Sequence, residues 1–387
     1  MIDPAHPPAV VVGLCAHGLG IARALHGAGV PVHALEANPQ LPGLRTACAR
    51  IHPVADINGE GLVDALLRLA PELGDAGRPV LLLTNDRMAE TIGRHVDEIE
   101  RHYVLSWGHA AARLLPLLHK QHIEERCGQT GIAYPRTVLV KNLEQLAQQL
   151  AGLRFPVIAK PVRPVSAFKT IVAHSAAELD AARPRLAQSM PVIVQEFIPG
   201  DDGHIRFGAL YLDRGRVVAR FEGRKLRSRP MGHTTIAVSE PSDEVNELAV
   251  RFFEGLELSG PVSLELKKDA DGTSWVIEPT VGRTDFWVGL CIANGVNLPL
   301  IEYRVGAGLG AQAGTQTGKG LWINGERDPA ALGWLLLHHP AFLVGRPIKG
   351  VYAERTDPAP FALTVRRRLR KLPGQALRAV RRLLPAH

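Results

Sequence analysis

The stretch SLELKKDADGTSWVIEPT, residues 263–280, carries the strongest structural signal in the chain. Apolar residues recur on both sides of an Asp- and Gly-containing turn at 269–272, which is typical of two strands joined as a hairpin. In such a hairpin Glu265 and Glu278 can face the same side of the sheet. Two carboxylates among apolar neighbours repel each other unless a divalent cation or a basic group lies between them, and Mg²⁺ is the candidate ion. Two exposed glutamates on a solvated face are the alternative.

Two lysines precede this hairpin. An apolar strand is predicted at 155–159 and ends at Lys160, whose ammonium group can then extend into a cleft. The following residues 163–170 (RPVSAFKT) are predicted to form a loop of small and basic residues that suits phosphates. Lys120 lies earlier, on a helix predicted at 114–127. Each lysine taken alone is as compatible with a solvated surface charge.

The stretch VIVQEFIPGDD, residues 192–202, predicts a strand that leaves into a short connection. Backbone amide and carbonyl groups there can bind an adenine edge, and an acid a few residues later can accept ribose hydroxyls. An ordinary strand and turn is the alternative if this stretch is taken alone. Together, however, the lysines, the acids and the connection supply the cations, metal ligands and purine pocket that phosphoryl transfer needs.

In this order and spacing the residues resemble the ATP-grasp superfamily, and within it the carboxylate–amine ligases related to D-alanine–D-alanine ligase and D-aspartate ligase. The resemblance covers about residues 10–305. It implies ATP and Mg²⁺ as cofactors, with Mn²⁺ as an alternative ion. It also implies these site residues: Lys120, Lys160, Ser166 and Lys169 for the phosphates; Gln195, Glu196 and Ile198 for adenine; Asp202 for ribose; and Glu265, Glu278 and Thr280 for the metal.

The chain departs from the family pattern after the second acid. Thr280 stands where family members usually have Asn, and it offers a weaker metal ligand. Gly282 stands at the place of the usual arginine, with Arg283 next to it. The basic cluster at 224–229 resembles a loop that brings a lysine onto the phosphates in some members. We therefore predict Arg283 and Lys225 as catalytic residues.

The resemblance implies a mixed α/β and α+β architecture with four parts. These are a Rossmann-like N-terminal (pre-ATP-grasp) domain at 1–112, a small ATP-grasp subdomain at 113–190, a C-terminal ATP-grasp subdomain with the metal site at 191–310, and an appendage with a basic amphipathic tail at 311–387. In the first part, strands are predicted at 9–14, 30–35 and 80–84, with a helix within 18–29. The Gly-rich turn at 13–20 lacks GxGxxG spacing, so we expect a tight strand-to-helix turn rather than a dinucleotide site.

The net charge of +7 comes from the tail. Eight Arg/Lys residues and no acid follow Pro358, so the rest of the chain carries 7 − 8 = −1. This composition argues against nucleic-acid binding and favours contact of the tail with an anionic membrane or an acidic partner; a solvated helix packed on its own domain is equally compatible. Four dispersed cysteines and the lack of a signal-peptide pattern or long apolar run predict a cytoplasmic protein.

The sequence therefore predicts an ATP-dependent ligase that activates a carboxylate as an acyl phosphate and joins it to an amine. Both substrates are expected to be small molecules, and a homodimer is one expected assembly. Two alternatives remain open: a nucleotide-binding protein of the same fold without ligase activity, suggested by Thr280 and Gly282, and an ATP-grasp kinase that stops at phosphoryl transfer.

Overall fold

The computed structural model describes residues 6–74, 76–162, 168, 170–229 and 232–370. The chain forms two compact units. The first unit contains residues 1–109 and 282–387, and the second contains residues 110–281. The predicted four-part division is not tested by this grouping, but residues 282–310 and the appendage both belong to the first unit.

The chain contains fifteen named strands and thirteen named α-helices among the described residues. The strands are β1 (Ala9–Val12), β2 (Val32–Glu36), β3 (Arg50–Pro53), β4 (Val80–Leu82), β5 (Thr137–Val140), β6 (Val157–Pro161), β7 (Ile171–Ala173), β8 (Val192–Glu196), β9 (Ile205–Asp213), β10 (Arg216–Ser228), β11 (Thr234–Ser239), β12 (Gly260–Lys268), β13 (Ser274–Val281), β14 (Leu321–Ile323) and β15 (Ile348–Gly350). The α-helices are α1 (Ala16–Gly27), α2 (Glu60–Leu69), α3 (Asp86–Arg94), α4 (Val96–Ile99), α5 (Ala111–Leu114), α6 (Lys120–Thr130), α7 (Leu146–Gln149), α8 (Ala176–Ala181), α9 (Arg183–Ala187), α10 (Asp243–Phe253), α11 (Val288–Ala293), α12 (Leu298–Gly306) and α13 (Ala331–His338). Residues 359–370 are also helical.

The first unit contains a parallel sheet of order β3-β2-β1-β4, which confirms the predicted α/β class of the N-terminal part. Strands β1 and β4 are apolar because both of their faces are covered: each is wholly buried, and α1 packs its Ile21 and Leu25 into the same core as β1. Tyr303 of α12 joins this core from the far end of the chain and donates its hydroxyl to the carbonyl of Pro7 at 2.6 Å.

The Gly-rich turn of the first unit is a tight strand-to-helix connection, as expected. Gly13 has φ +88°, and a Cβ on Gly18 would lie 1.8 Å from the carbonyl oxygen of Gly13, so both positions require glycine. The carboxylate of Glu36 accepts hydrogen bonds from the backbone N–H groups of Leu14 (2.6 Å) and Asn38 (2.8 Å). Glu36 therefore holds together the loops that follow β1 and β2.

The second unit contains two antiparallel sheets. The smaller has the order β5-β8-β6-β7 and buries its core against α8 and α9. The larger contains β13, β12, β9, β10 and β11 as neighbours in that order. Strand β8, which the sequence analysis grouped with the residues after 190, completes the smaller sheet.

Three local predictions differ from the structure. The helix predicted at 114–127 is broken into α5 and α6, because Pro116 lies in an intervening 3₁₀ turn and His119 is extended. The strand predicted at 155–159 and ending at Lys160 begins at Val157 and continues one residue past Lys160, to Pro161. The basic cluster at 224–229 belongs to strand β10 as far as Ser228 and is not a loop there, since Arg224, Lys225, Arg227 and Ser228 pair with residues of β11.

Candidate nucleotide and metal site

The two predicted metal ligands lie opposite each other in the second unit. Strands β12 and β13 form the predicted hairpin, and its turn closes with a hydrogen bond from the Asp269 N–H to the Thr273 carbonyl at 2.9 Å. Glu265 pairs directly with Glu278 in the register. Directly opposed residues of an antiparallel pair point to the same face, and Thr280, two positions further, joins that face. Glu278 is exposed, whereas Thr280 is buried.

Lys225 brings a cation to this pair of acids. It lies on β10, separated from β12 by β9, and its ammonium group forms an ion pair with the carboxylate of Glu265. Only 3% of Lys225 is exposed, so this is a buried charge that needs its partner. The mutual repulsion of Glu265 and Glu278 is thus relieved in part by a basic group of the chain.

Lys160 lies near the same acids, and among the described residues one hydrogen bond is found for its ammonium group. Its ammonium group donates to Oε1 of Gln195 at 3.1 Å, and Nε2 of Gln195 in turn donates to the Thr137 hydroxyl at 2.9 Å. Desolvation, followed by the positive charge of Lys120, lowers the pKa of Lys160 to about 8, against the opposing fields of the two acids. Lys120 is the first residue of α6 and is half-buried. The predicted phosphate lysines therefore lie close enough to repel each other.

The predicted adenine stretch comprises the last two residues of β8 and the start of the connection after it, but its side chains are already engaged. Glu196 is 8% exposed, and its carboxylate accepts hydrogen bonds from the backbone N–H of Arg154 at 3.0 Å and from the Arg154 guanidinium at 3.1 Å. Burial raises the pKa of Glu196, but the hydrogen bonds from Arg154 outweigh it and hold that pKa below its usual value. The side chain of Ile198 is buried. Only backbone groups of Glu196 and Ile198 remain suited to an adenine edge.

Lys267 is a functional candidate that the sequence analysis missed. It lies two residues after Glu265 on β12, is 7% exposed, and donates its ammonium group to the carbonyl of Gly200 at 2.8 Å. The same ammonium lies 4.7 Å from the centre of the Phe197 ring, a cation–π distance. Lys267 thus fastens the connection after β8 to the sheet that carries the acids. An apolar–polar alternation that places a lysine on the side of Glu265 is the signal that could have found it.

The predicted ribose acid lies at the other end of that connection. Asp202 begins a 3₁₀ turn before β9, and its Oδ2 accepts a hydrogen bond from the backbone N–H of Ser228 at 2.6 Å. Its other oxygen is not needed for that bond. The placement ties the connection to the end of β10.

Three predicted site residues are not among those that the second unit brings together. Ser166 and Lys169 lie outside the described residues. Arg283 belongs to the first unit, where its Nε donates to Asp86 at 2.6 Å and its guanidinium donates to the Thr284 carbonyl at 3.1 Å. Its side chain is 12% exposed.

The donor set fits Mg²⁺ only in company with a ligand. Among the described residues no group of three or more His, Cys, Asp or Glu side chains could hold a metal ion by itself. Two carboxylates and a hydroxyl on one sheet face match the way Mg²⁺ is bound with substrate phosphates, with most of its coordination left to phosphate and water. The arrangement can therefore receive an ion that arrives with a polyphosphate, beside the cations Lys160 and Lys225.

A curated protein, the D-aspartate ligase of Enterococcus faecium (strain Aus0004), is 27% identical to this chain over 261 residues. The match covers 61% of this chain and 61% of that protein, so the chain spans less than two thirds of the relative's length. No protein-family model matches the sequence.

Solved structures resemble the whole architecture. An N5-carboxyaminoimidazole synthetase from Staphylococcus aureus has a TM-score of 0.65 at 12% identity and covers 86% of both chains. The biotin carboxylase domain of a Hydrogenobacter thermophilus 2-oxoglutarate carboxylase, solved with MgADP and bicarbonate, has a TM-score of 0.62 at 14% identity and covers 82% of this chain and 73% of that one. An L-amino acid ligase from Bacillus licheniformis has a TM-score of 0.58 at 17% identity and covers 78% and 74%. The chain has the ATP-grasp fold, which confirms the predicted resemblance.

Proposed function

We propose that this protein, which has the ATP-grasp fold, is a Mg²⁺-dependent, ADP-forming ligase that joins a carboxylate to an amine. The observation that carries the proposal is the opposed pair Glu265 and Glu278, set beside Lys160 and Lys225 on the second unit. Acids and cations placed together in this way suit a metal–polyphosphate and leave no need for a side-chain nucleophile. The D-aspartate ligase relative supports the reaction type.

The proposed reaction has two steps. A carboxylate oxygen of the first substrate attacks the γ-phosphorus of ATP, the bond from that phosphorus to the bridging oxygen breaks, and ADP leaves. The nitrogen of the amine then attacks the carbonyl carbon of the acyl phosphate, inorganic phosphate leaves, and the nitrogen loses a proton. The products are an amide, ADP and phosphate.

The residues of the chain have distinct roles in this proposal. Glu265, Glu278 and Thr280 hold Mg²⁺, or Mn²⁺ as the alternative ion, which when bound neutralises the β- and γ-phosphates. Lys120, Lys160 and Lys225 offset the remaining phosphate charge. Four further roles come from the family resemblance: Gln195, with backbone groups of Glu196 and Ile198, at adenine; Asp202 at ribose; Ser166 and Lys169 over the phosphates; and Arg283 at the reacting groups.

The substrates are proposed as small molecules, and D-aspartate leads the panel because the curated relative is described as a D-aspartate ligase. An enzyme that consumes ATP works where ATP is supplied, so we propose a cytoplasmic location, and a homodimer is the proposed assembly. Contact of the basic tail with an anionic membrane or an acidic partner is a separate proposal, because it involves none of the ATP-site residues.

The test is ADP release by the full chain, measured with and without Mg²⁺ against amino acids and carboxylates supplied singly and in pairs. A ligase requires both substrates and forms amide, ADP and phosphate in equal amounts. A kinase forms ADP and a phosphorylated product with one substrate alone. A third outcome is ATP binding with no Mg²⁺-dependent turnover. Thr280, at the place of the usual Asn, is the observation that favours this outcome.

A further inference from the structure

The exposed apolar side chains of this protein are concentrated in one part of the chain. Among the described residues, nine large hydrophobic side chains are exposed, and only Val162 lies outside the C-terminal part of the first unit. The other eight are Leu332, Leu336, Leu337, Val344, Ile348, Phe361, Val365 and Leu369, which we call the apolar surface. Single exposed apolar residues are ordinary, but eight of them within residues 332–369 favour an interaction site in this part of the chain.

The first part of the apolar surface is α13 and the turn after it. Ala331 and Leu335 are fully buried and anchor the helix, while Leu337 is 81% and Val344 is 79% exposed. The guanidinium of Arg346 lies 4.8 Å from the centre of the Phe342 ring, which places a cation beside these side chains. Leu337 and Val344 thus project from a rigid base with a positive charge close by.

The second part is the helix at 359–370. Phe361, Val365 and Leu369 recur every four residues and therefore lie along one face. Arg367 donates to the carbonyl of Gln40 at 2.7 Å, and Arg368 donates to the carbonyl of Gly325, so these two arginines fasten the helix to the first unit. The apolar face stays exposed although the helix is held in place.

The charge of this region is positive and is not neutralised internally. Between Pro329 and the end of the chain the only acids are Glu354 and Asp357. Glu354 pairs with Lys349 at 2.5 Å, and Asp357 pairs with Arg23 at 2.8 Å. Both acids of this region are thus engaged by other basic groups, and the region as a whole carries a net positive charge.

We propose that the apolar surface docks on an anionic phospholipid bilayer. Apolar side chains that project beside arginines are suited to the boundary between headgroups and acyl chains, where the apolar groups leave water and the arginines meet lipid phosphates. A second copy of this chain would bring the same positive charge to the contact. No helix among the described residues is long and apolar enough to cross a membrane, so the contact is a peripheral one.

Co-sedimentation of the full chain with vesicles tests this proposal. We expect binding to vesicles of equal parts phosphatidylglycerol and phosphatidylcholine, little binding to pure phosphatidylcholine, and weaker binding as salt rises. Replacing Leu337 and Val344 together by Ser weakens binding by about tenfold or more, because buried apolar side chains contribute strongly. The matched control is Val162→Ser, which alters the one exposed large hydrophobic side chain of the described residues that lies outside the apolar surface.

The charge contribution has its own pair of variants. Replacing Arg366 and Arg370 together by Gln weakens binding by roughly 25-fold, since each arginine near an anionic surface contributes about 1 kcal/mol, or a factor of about five. Replacing the exposed Arg94 and Arg101 by Gln removes the same charge elsewhere on the first unit and leaves binding unchanged.

Three results would overturn the proposal. The first is no binding to the anionic vesicles, or equal loss in the control variants. The second is a dimer that the Leu337→Ser, Val344→Ser double variant dissolves, without vesicle binding, which would assign the surface to a second copy. The third is binding to polyglutamate but not to vesicles, which would assign it to an acidic protein. None of these results depends on whether the protein is a ligase, because no ATP-site residue is changed.

Discussion

Buried charges occur in both units, but their partners differ. In the first unit Asp357 is 2% exposed, and its carboxylate accepts hydrogen bonds from Arg23 at 2.8 Å, from the Thr46 hydroxyl at 2.6 Å and from the Ala47 N–H at 3.1 Å. Arg23 also donates to the carbonyls of Tyr352 and Asp357. In the second unit Lys160 lies close to two acids and a second lysine, and a single hydrogen bond to the chain is described for its ammonium group.

The difference separates a structural cluster from a functional one. A carboxylate whose oxygens are filled by protein donors stabilises the fold and has nothing left for a ligand. Cations and carboxylates held close together with incomplete pairing are costly unless something binds there. The Asp357 cluster therefore fastens the C-terminal part of the first unit to its N-terminal part, whereas we propose that Lys160 and the two acids near it bind a charged ligand.

The largest expected effect is on stability, from Asp357→Ala. Removing one partner of a buried pair leaves Arg23 uncompensated, so we expect a loss of about 3–5 kcal/mol in the free energy of unfolding. Denaturant unfolding measures it, and the ATP affinity of the remaining folded protein should not change. If Asp357→Ala unfolds at the wild-type denaturant concentration, the cluster does not fasten the unit.

The pair of Asp357 and Arg23 also makes the stability of the fold depend on pH. Burial raises the pKa of Asp357, but hydrogen bonds from Thr46 and Arg23 outweigh it and hold that pKa below its usual value. A carboxyl with a depressed folded-state pKa contributes stability above its unfolded pKa, and that stability is lost as the pH falls through the folded pKa. The wild type should therefore lose more stability between neutral and acid pH than Asp357→Ala does.

The second effect is on catalysis, from Glu278→Gln. Removing one carboxylate from the opposed pair should lower kcat/KM by roughly 10²–10³-fold, because a charge that holds the metal and phosphates is lost. Because the Glu278 side chain is exposed, the free energy of unfolding should change by only about 0.5 kcal/mol or less. Glu247→Gln, an exposed glutamate on α10, is the matched control. Full turnover in Glu278→Gln would refute the metal assignment.

The third effect concerns the charge on Lys160. With a pKa of about 8, Lys160 loses its proton as the pH rises through that value, so kcat/KM for ATP should fall there. Lys160→Arg keeps its charge, so the fall in kcat/KM should move to higher pH. Lys160→Met should weaken ATP binding by roughly 50-fold and abolish this fall in kcat/KM. A fall in kcat/KM that persists in Lys160→Met would belong to another titrating group.

The lowered pKa of Lys160 also affects the stability of the protein without ATP. Its folded-state pKa lies below the usual value of about 10.4, so the unfolded state binds more protons between these two values and stability rises with pH across that window. Lys160→Met removes this cost of burial. It should therefore unfold at the same or a higher temperature than the wild type while binding ATP less well.

The smallest effect is expected from Lys267→Met. The change removes the hydrogen bond to Gly200 and the contact with the Phe197 ring, so the connection after β8 is held less firmly. We expect the KM for ATP to rise about five- to tenfold, in line with the loss of one buried hydrogen bond to a charged group, with kcat little changed. A fall in kcat at constant KM would instead place Lys267 at the reacting phosphates.

Sequence alone predicts the parts of this site that depend on local patterns. The turn at 269–272 fixes the hairpin, and the hairpin sets Glu265 opposite Glu278. The alternation of β10 is harder to recognise, because its many Arg and Lys residues suggest an exposed loop. Lys225 is nevertheless buried against Glu265. The break of the predicted helix at 114–127 could have been read from Pro116.

Long-range pairs lie beyond this kind of prediction. Asp357 and Arg23 are separated by 334 positions, and nothing near either residue indicates its partner. The engagement of Glu196 by Arg154, 42 positions away, likewise depends on how the smaller sheet of the second unit packs. Such pairs follow from tertiary packing, which composition and spacing do not encode locally.

The most direct test of the central claim is the stoichiometry of turnover by the full chain with Mg²⁺, ATP, a carboxylate and an amine from a panel that begins with D-aspartate. The account predicts that ADP, inorganic phosphate and an amide product form in equal amounts, that both substrates and Mg²⁺ are required, and that Glu278→Gln forms none of them at a comparable rate. Release of ADP with a phosphorylated product and no free phosphate, or no Mg²⁺-dependent turnover with any member of the panel, would contradict it.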